Sequence, residues 1–262
     1  MSHPRVREEI NRAVSGDPEV WPISWFRREM SGRLPFERAL SIGSGIGNLE
    51  RDLVRQEIVG EVTGIEITEA PLREAERLAF ESGLSDRISY VREDARQVLR
   101  EESDLDAIFF HASLHHFDRL DELMELVRGA LRPDGVLYRD EYIGPSMSQW
   151  NALRLLPANL AYYLLPRRIR RPWLVRTPLN PEDPTEAIAS AEIVPALERR
   201  FEILRRRDYG GNLLSLIYPN LHRHDAVRGD LDRAIERLLR LERRLFRRFG
   251  SYHAVIVARP TC

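Results

Sequence analysis

Lysine is missing from all 262 residues, so the 40 basic side chains are arginines. That bias reads as genomic base composition rather than as function. Against 41 acidic residues the arginines leave a formal net charge of −1, and no global field argues for a nucleic-acid partner. Cysteine is nearly missing too: the single thiol is Cys262, which excludes an internal disulfide framework or a cysteine-rich zinc site. It fits a reducing compartment, and a cytoplasmic location is expected. No uninterrupted apolar run reaches the roughly 20 residues that cross a bilayer, so stable membrane insertion is not expected. The stretch from Met1 to Glu9 is charged and has no apolar signal-peptide core. Internal repeats and low-complexity segments are absent as well.

What remains is an ordinary globular balance, 43% apolar and 31% charged, in a chain long enough to bury a full core. Residues 5–32 carry helix spacing (Val6, Ile10, Val14, then Trp21, Trp25, Phe26, Met30), broken at Gly16-Asp17-Pro18. Two short helices are expected there. Either Trp21, Trp25 and Phe26 pack this arm onto the main domain, or the arm closes over a ligand. From residue 38 strand and helix patterns alternate: strands at 38–42, 62–66, 88–91, 106–110 and 135–142, helices at 47–58, 70–82, 95–101 and 120–131. Such alternation implies parallel strands joined by right-handed crossovers, an α/β fold whose ligand sits at the carboxyl ends of the strands.

The rhythm breaks at residues 145–184, which are rich in proline and aromatics and carry the basic run Arg167, Arg168, Arg170, Arg171, Arg176. No acid lies between Glu141 and Glu182. The stretch is too long for a crossover loop and reads as an inserted helical lid. A helix at 185–200, strands at 201–209 and 252–258, and an amphipathic helix at 230–249 follow. The apolar stripe of that last helix, from Leu231 to Phe249, would meet the lid or a second copy, so monomer and homodimer both stay open. The expected division is an arm at 1–35 and a domain at 36–262, with insertions at 145–184 and 210–250.

Gly43, Ser44, Gly45 and Gly47 form a glycine-rich turn between an apolar strand and a helix, the arrangement that brings backbone close to a nucleotide-like ligand. Glu66 ends the next strand, where an acid accepts hydrogen bonds from ribose hydroxyls. Glu93-Asp94-Ala95 ends the third strand, and His111-Ala112-Ser113-Leu114-His115-His116-Phe117 leaves the fourth. A dinucleotide fingerprint would need glycine at Asn48, while Gly47 comes one residue early, which argues against a nicotinamide oxidoreductase.

On these residues, and on Leu131-Arg132-Pro133-Asp134-Gly135, the chain resembles the class I S-adenosylmethionine-dependent methyltransferases, in their small-molecule branch. The resemblance spans residues 36–145 well and 185–259 in outline. It implies a Rossmann-like, doubly wound sheet of seven strands, mostly parallel with an antiparallel last strand. It also implies S-adenosyl-L-methionine as cofactor and S-adenosyl-L-homocysteine as product. Gly43, Ser44, Gly45 and Gly47 would cradle the methionine part and Glu66 would bind the ribose. Ile67 would pack on the adenine, Asp94 and Ala95 would hold the base, and His111 and Ala112 would lie near the sulfonium. Ser41 stands where the family has an acid that reaches toward the cofactor's amino group; serine keeps a hydrogen bond but no charge.

For the acceptor, His116 and His115 are the first candidates as general base, since histidine titrates near working pH. Glu141 and Tyr142, leaving the fifth strand, could orient an acceptor hydroxyl. The expected acceptor is a small or medium-sized metabolite, with O-methylation favoured over N- or C-methylation. The phrases around residues 140–145 and 209–214 look like a bacterial group of these enzymes, some linked to glycan or natural-product pathways. An RNA methyltransferase using the arginine run and a cofactor-binding pseudoenzyme are the rival readings. No metal is expected: His222 and His224 have only Asp225 beside them.

Overall fold

The computed structural model describes residues 3–176, 183, 185–224 and 227–261, the side chains of 246–249 excepted. Pro178, Pro181, Glu182, Pro184, Asp225 and Cys262 lie outside the described residues. Seven strands form one sheet: β1 Phe36–Ile42, β2 Val59–Ile65, β3 Ile88–Val91, β4 Leu105–His111, β5 Leu131–Tyr142, β6 Phe201–Gly210 and β7 His253–Pro260. Their order is β3-β2-β1-β4-β5-β7-β6, and only β7 runs antiparallel to its neighbours. Strand order reverses between β1 and β4, which opens a crevice at their carboxyl ends.

Ten helices surround the sheet among the described residues: α1 Pro4–Ser15, α2 Pro22–Glu29, α3 Asn48–Arg55, α4 Glu69–Glu81, α5 Ala95–Glu101, α6 Leu120–Ala130, α7 Ala152–Tyr163, α8 Ile193–Glu198, α9 Leu214–Ile217 and α10 Arg228–Phe249. The central strands are apolar on both sides because both faces are covered. Leu40, Ile42, Ile108, Phe110 and Leu137 point into a core closed by α5, α6 and α8. Ala39, Phe109, Val136 and Tyr138 point the other way, against α3 and the arm. Phe26 of α2 is fully buried there, 4.8 Å from Tyr138 and edge-on to Phe109. A third core joins the lid helix α7 to α9 and α10. Glu242 of α10 holds the 211–214 turn, accepting backbone N–H bonds from Gly211, Leu213 and Leu214 at 2.6–2.9 Å.

One element differs from expectation. The helix anticipated over 185–200 is confined to α8, preceded by a 3-10 turn at Ser190–Glu192. The carboxylate of Asp183 takes hydrogen bonds from both the backbone and the hydroxyl of Thr185, and Ala187 adopts φ +52°. Side-chain capture of backbone donors favours a turn over a helix.

Candidate active site

At the carboxyl ends of β1, β4 and β5 lies a cavity of about 940 Å³. Ser41, Gly43, Ser44 and Gly45 form one wall, Glu50 and Arg51 of α3 the next, and His111, Ala112, His115, Asp140, Glu141 and Tyr142 the floor. The arm supplies the roof through Arg7, Asn11, Trp21 and Ile23: Trp25 and Phe26 are core, while Trp21 borders the cavity. Tyr209, Ser215 and His253 close the far side.

The turn after β1 is tight for local reasons. Gly43, Gly45 and Gly47 all have positive φ, and a Cβ on Gly43 would stand 2.5 Å from the Ser113 Cβ. A Cβ on Gly45 would meet nothing within 4 Å. The backbone donors of this turn are already spoken for. Gly43 and Ser44 donate to the Ile65 carbonyl (2.8 and 3.0 Å), Gly47 donates to Ser44, and Gly45 donates to the Glu66 carboxylate at 3.0 Å. A diphosphate cradle needs those N–H groups free. In this structure the N–H groups of Gly43, Ser44, Gly45 and Gly47 bond to protein acceptors.

What faces the cavity beside this turn is a buried acid. Glu50 is fully buried, lines the cavity, and has neither carboxylate oxygen in a hydrogen bond; the Ser44 hydroxyl is also buried without a partner. Burial pushes the Glu50 carboxyl up from its ordinary range, with the neighbouring Ser41 hydroxyl and the charges of His111 and Arg51 working against it. An orphaned buried carboxyl costs several kcal/mol by order of magnitude unless a cation or donor reaches it. S-adenosylmethionine carries both an ammonium and a sulfonium, so the residues present fit that cofactor. The signal was in the sequence: Glu50 sits three and four residues before Leu53 and Val54, on the inward stripe of α3.

Glu141 organises the floor. It is buried, and its Oε1 accepts backbone N–H bonds from Ser113 and Leu114, each at 2.6 Å. Its Oε2 pairs with His115 Nδ1 at 2.9 Å, which leaves the other ring nitrogen of this cavity-lining histidine free of that bond. Ala112 enters this turn at φ +52°, a left-handed conformation held by its N–H bond to the Asp140 carbonyl and by the Ser113 hydroxyl on the Ile42 carbonyl (2.6 Å). Burial by itself would lower the His115 pKa, but the Glu141 hydrogen bond and the charges of Glu141, Glu186 and Asp183 raise it. Burial would raise Glu141, yet His115 and the two backbone N–H groups hold it below the usual range. Asp140, also buried, accepts from the Tyr209 hydroxyl at 2.6 Å and lies 3.6 Å from His111 Nδ1; burial raises its carboxyl.

His116, ranked first as base, points elsewhere. Its Nδ1 is 3.0 Å from the Thr185 hydroxyl and 3.5 Å from Asp183, and it does not line the cavity. The Tyr142 hydroxyl, although on the cavity wall, donates to the Pro145 carbonyl at 3.0 Å. Gly47, Glu66, Ile67, Asp94 and Ala95 lie outside the lining of the cavity. Glu66 braces the turn through Gly45 and Thr68, Ile67 is 66% exposed, Ala95 is buried, and Asp94 caps α5 by accepting from Arg96 N–H. The site also draws on residues not singled out from sequence: Glu50, Glu186 and His253, with Asp140 and Tyr209 beside them. Donor atoms of His115, His116 and Glu186 come within 4.8 Å of one another, a convergence that adjacency of the two histidines alone did not suggest. The rings of His222 and His224 are 5.5 Å apart.

The strand order, the glycine turn and the crevice at the topological switch are those of the Rossmann-like fold of the class I methyltransferases. Residues 40–139 match the family described as the methyltransferase domain. It is 26% identical over 155 residues to the ubiquinone biosynthesis O-methyltransferase of Pasteurella multocida, covering 55% of this chain and 61% of that one. It is 28% identical over 106 residues to a sterol 24-C-methyltransferase of Gibberella zeae, covering 40% and 27%. The chain thus spans less than two thirds of either relative. Among solved structures, the geranyl diphosphate C-methyltransferase of Streptomyces coelicolor, in complex with Mg2+, geranyl-S-thiolodiphosphate and S-adenosyl-L-homocysteine, superposes with a TM-score of 0.56. The match covers 97% of this chain and 85% of that one at 16% identity, a likeness of fold.

Proposed function

We propose that this chain transfers a methyl group from S-adenosylmethionine to a hydroxyl of a small or medium-sized acceptor. The observation that carries the reading is the cavity-lining His115 held by the buried carboxylate of Glu141 beside the orphaned carboxyl of Glu50. When bound, the cofactor supplies an electrophilic sulfonium methyl. Glu50, with Ser41 and Ser44, holds its ammonium end, which gives the family's missing acid a replacement from the following helix. Gly45 keeps the wall open, and Glu66, Ile67, Asp94 and Ala95 receive the nucleoside at the rim.

His115 takes the acceptor's hydroxyl proton. Glu141 fixes the imidazole orientation and stabilises the cation that forms, without itself taking the proton. Methyl transfer is an in-line displacement, so positioning between roof and floor supplies much of the rate. The roof sets the apolar Ile10, Trp21 and Ile23 beside Arg7 and Asn11, over a polar floor. That division suits an acceptor with an apolar body and a single reactive hydroxyl, closer to a natural product than to a bare glycan. An RNA acceptor finds no support in a cavity walled by Glu50, Asp140, Glu141 and Glu186.

Calorimetric titration with S-adenosyl-L-homocysteine should give one site per chain and a raised melting temperature. Absence of both heat and thermal shift, with cofactor and product alike, overturns the proposal.

A further inference from the structure

The lid presents a surface that neither the cavity nor the core uses. On α7, Leu155, Ala158, Ala161 and Tyr162 face inward, while Leu153, Leu156, Leu160, Tyr163 and the following Leu164 are 51–81% exposed. Trp173 and Leu174 add exposures of 70% and 60%. Half of the large apolar side chains exposed among the described residues fall in this one stretch. The exposure does not come from a loose loop. Asn159 clamps Val175 through both backbone groups (2.8 and 3.2 Å), and the Tyr162 hydroxyl donates to the carbonyls of Pro172 and Asn220 at 3.0 and 3.1 Å. Trp173 and Leu174 are thereby held outward on a fixed backbone.

A helix apolar all round belongs in a core or against lipid. The same stretch carries Arg154, Arg167, Arg168, Arg171 and Arg176, all exposed, with no acid between Glu141 and Glu182. Arg168 pairs with Asp230, and Arg167 stacks on Trp173 at 4.1 Å. No described helix is long and apolar enough to cross a membrane. An apolar strip with aromatic members, rimmed by cations on long stems, is the composition that lies in a headgroup layer. We propose that this face docks the protein peripherally on an anionic lipid bilayer. α7 packs on α9, whose Ser215 lines the cavity. The inference stands apart from the identity of the acceptor and of the base.

Vesicle flotation of the full chain tests it, with phosphatidylcholine alone and with one-third phosphatidylglycerol, at low and high salt. Binding is expected only to the anionic vesicles and should weaken with salt. Arg167→Ala with Arg171→Ala should weaken partitioning roughly tenfold or more, and Leu160→Ser with Leu164→Ser by a comparable factor. Unchanged circular dichroism and unchanged S-adenosyl-L-homocysteine binding must accompany each loss. The proposal is overturned if the wild type stays unbound on anionic vesicles, or if both variants float as well as it does. It is equally overturned if sedimentation shows the leucine face buried in a homodimer, or if the arginines bind RNA and not vesicles.

Discussion

Glu50 and His115 carry opposite electrostatic problems, and each makes a prediction. Glu50 is a buried acid whose burial the Ser41 hydroxyl and the charges of His111 and Arg51 only partly offset, so in the free protein its proton is retained above the usual carboxylate range; a ligand ammonium releases it. Glu50→Gln should leave the free protein at least as stable, yet weaken S-adenosyl-L-homocysteine binding by about 1.5–3 kcal/mol, the worth of a hydrogen bond to a charged group. Calorimetry in buffers of different ionisation enthalpy should show proton release for the wild type and none for the variant. His115 has the reverse situation, a partner that lifts its basicity. The acidic limb of kcat/KM should lie above pH 6.5, the ordinary histidine value. Glu141→Gln removes the lifting charge but leaves the burial, so the limb should move to lower pH while the plateau falls. His115→Gln should cost about 10²–10⁴ in kcat with product binding retained. A profile that keeps its limb in Glu141→Gln would show that another group titrates.

At the scale of elements, the turn from β1 into α3 separates structural glycine from functional glycine. Gly43 has positive φ and a blocked Cβ position against Ser113, so Gly43→Ala combines strain with overpacking and should cost about 2–4 kcal/mol of stability. Gly45 has positive φ but open space beyond it. Gly45→Val should cost only about 1–2 kcal/mol of backbone strain, while filling the space the cofactor needs and abolishing its binding. Chemical denaturation and calorimetry on the two variants separate the effects. Equal loss of binding at equal stability in both would contradict this division.

Across the whole molecule, acid should destabilise more steeply than the near-neutral charge suggests. His253 stacks on Tyr209 at the cavity wall, and burial holds its pKa at about 4 against an ordinary 6.5. A depressed folded-state pKa contributes stability above 6.5 that is lost as pH falls toward 4, because the unfolded chain takes the proton more readily. His115 and Glu141 act as a pair in between: the histidine's contribution fades only as pH rises through its raised pKa, the glutamate's only as pH falls through its lowered one. The expected loss from His253 is roughly 2 kcal/mol between pH 6.5 and 4, discounted because part of the ring meets the cavity. His253→Phe keeps the stack and should flatten that slope in melting-temperature measurements across pH.

Much of this molecule was legible along the chain because its information is local. Strand periodicity, helix stripes, glycine φ requirements and the acids at strand ends are set within a few residues, and parallel pairing follows from their alternation. The Ser41 substitution was equally visible, but its compensation was not, because Glu50 and Ser41 meet only when α3 folds back across the strand end. Nor could two adjacent histidines be told apart by spacing. His115 faces the cavity because Glu141, from the next strand, captures its ring and the turn before it, while Thr185 from beyond the lid takes His116. The arm likewise read as either packing or cover; that Phe26 packs in the core while Trp21 borders the cavity is decided by the tertiary contacts. Local chemistry names the elements of a site; which side chains meet inside it depends on contacts between distant segments, and those exist only in the folded chain.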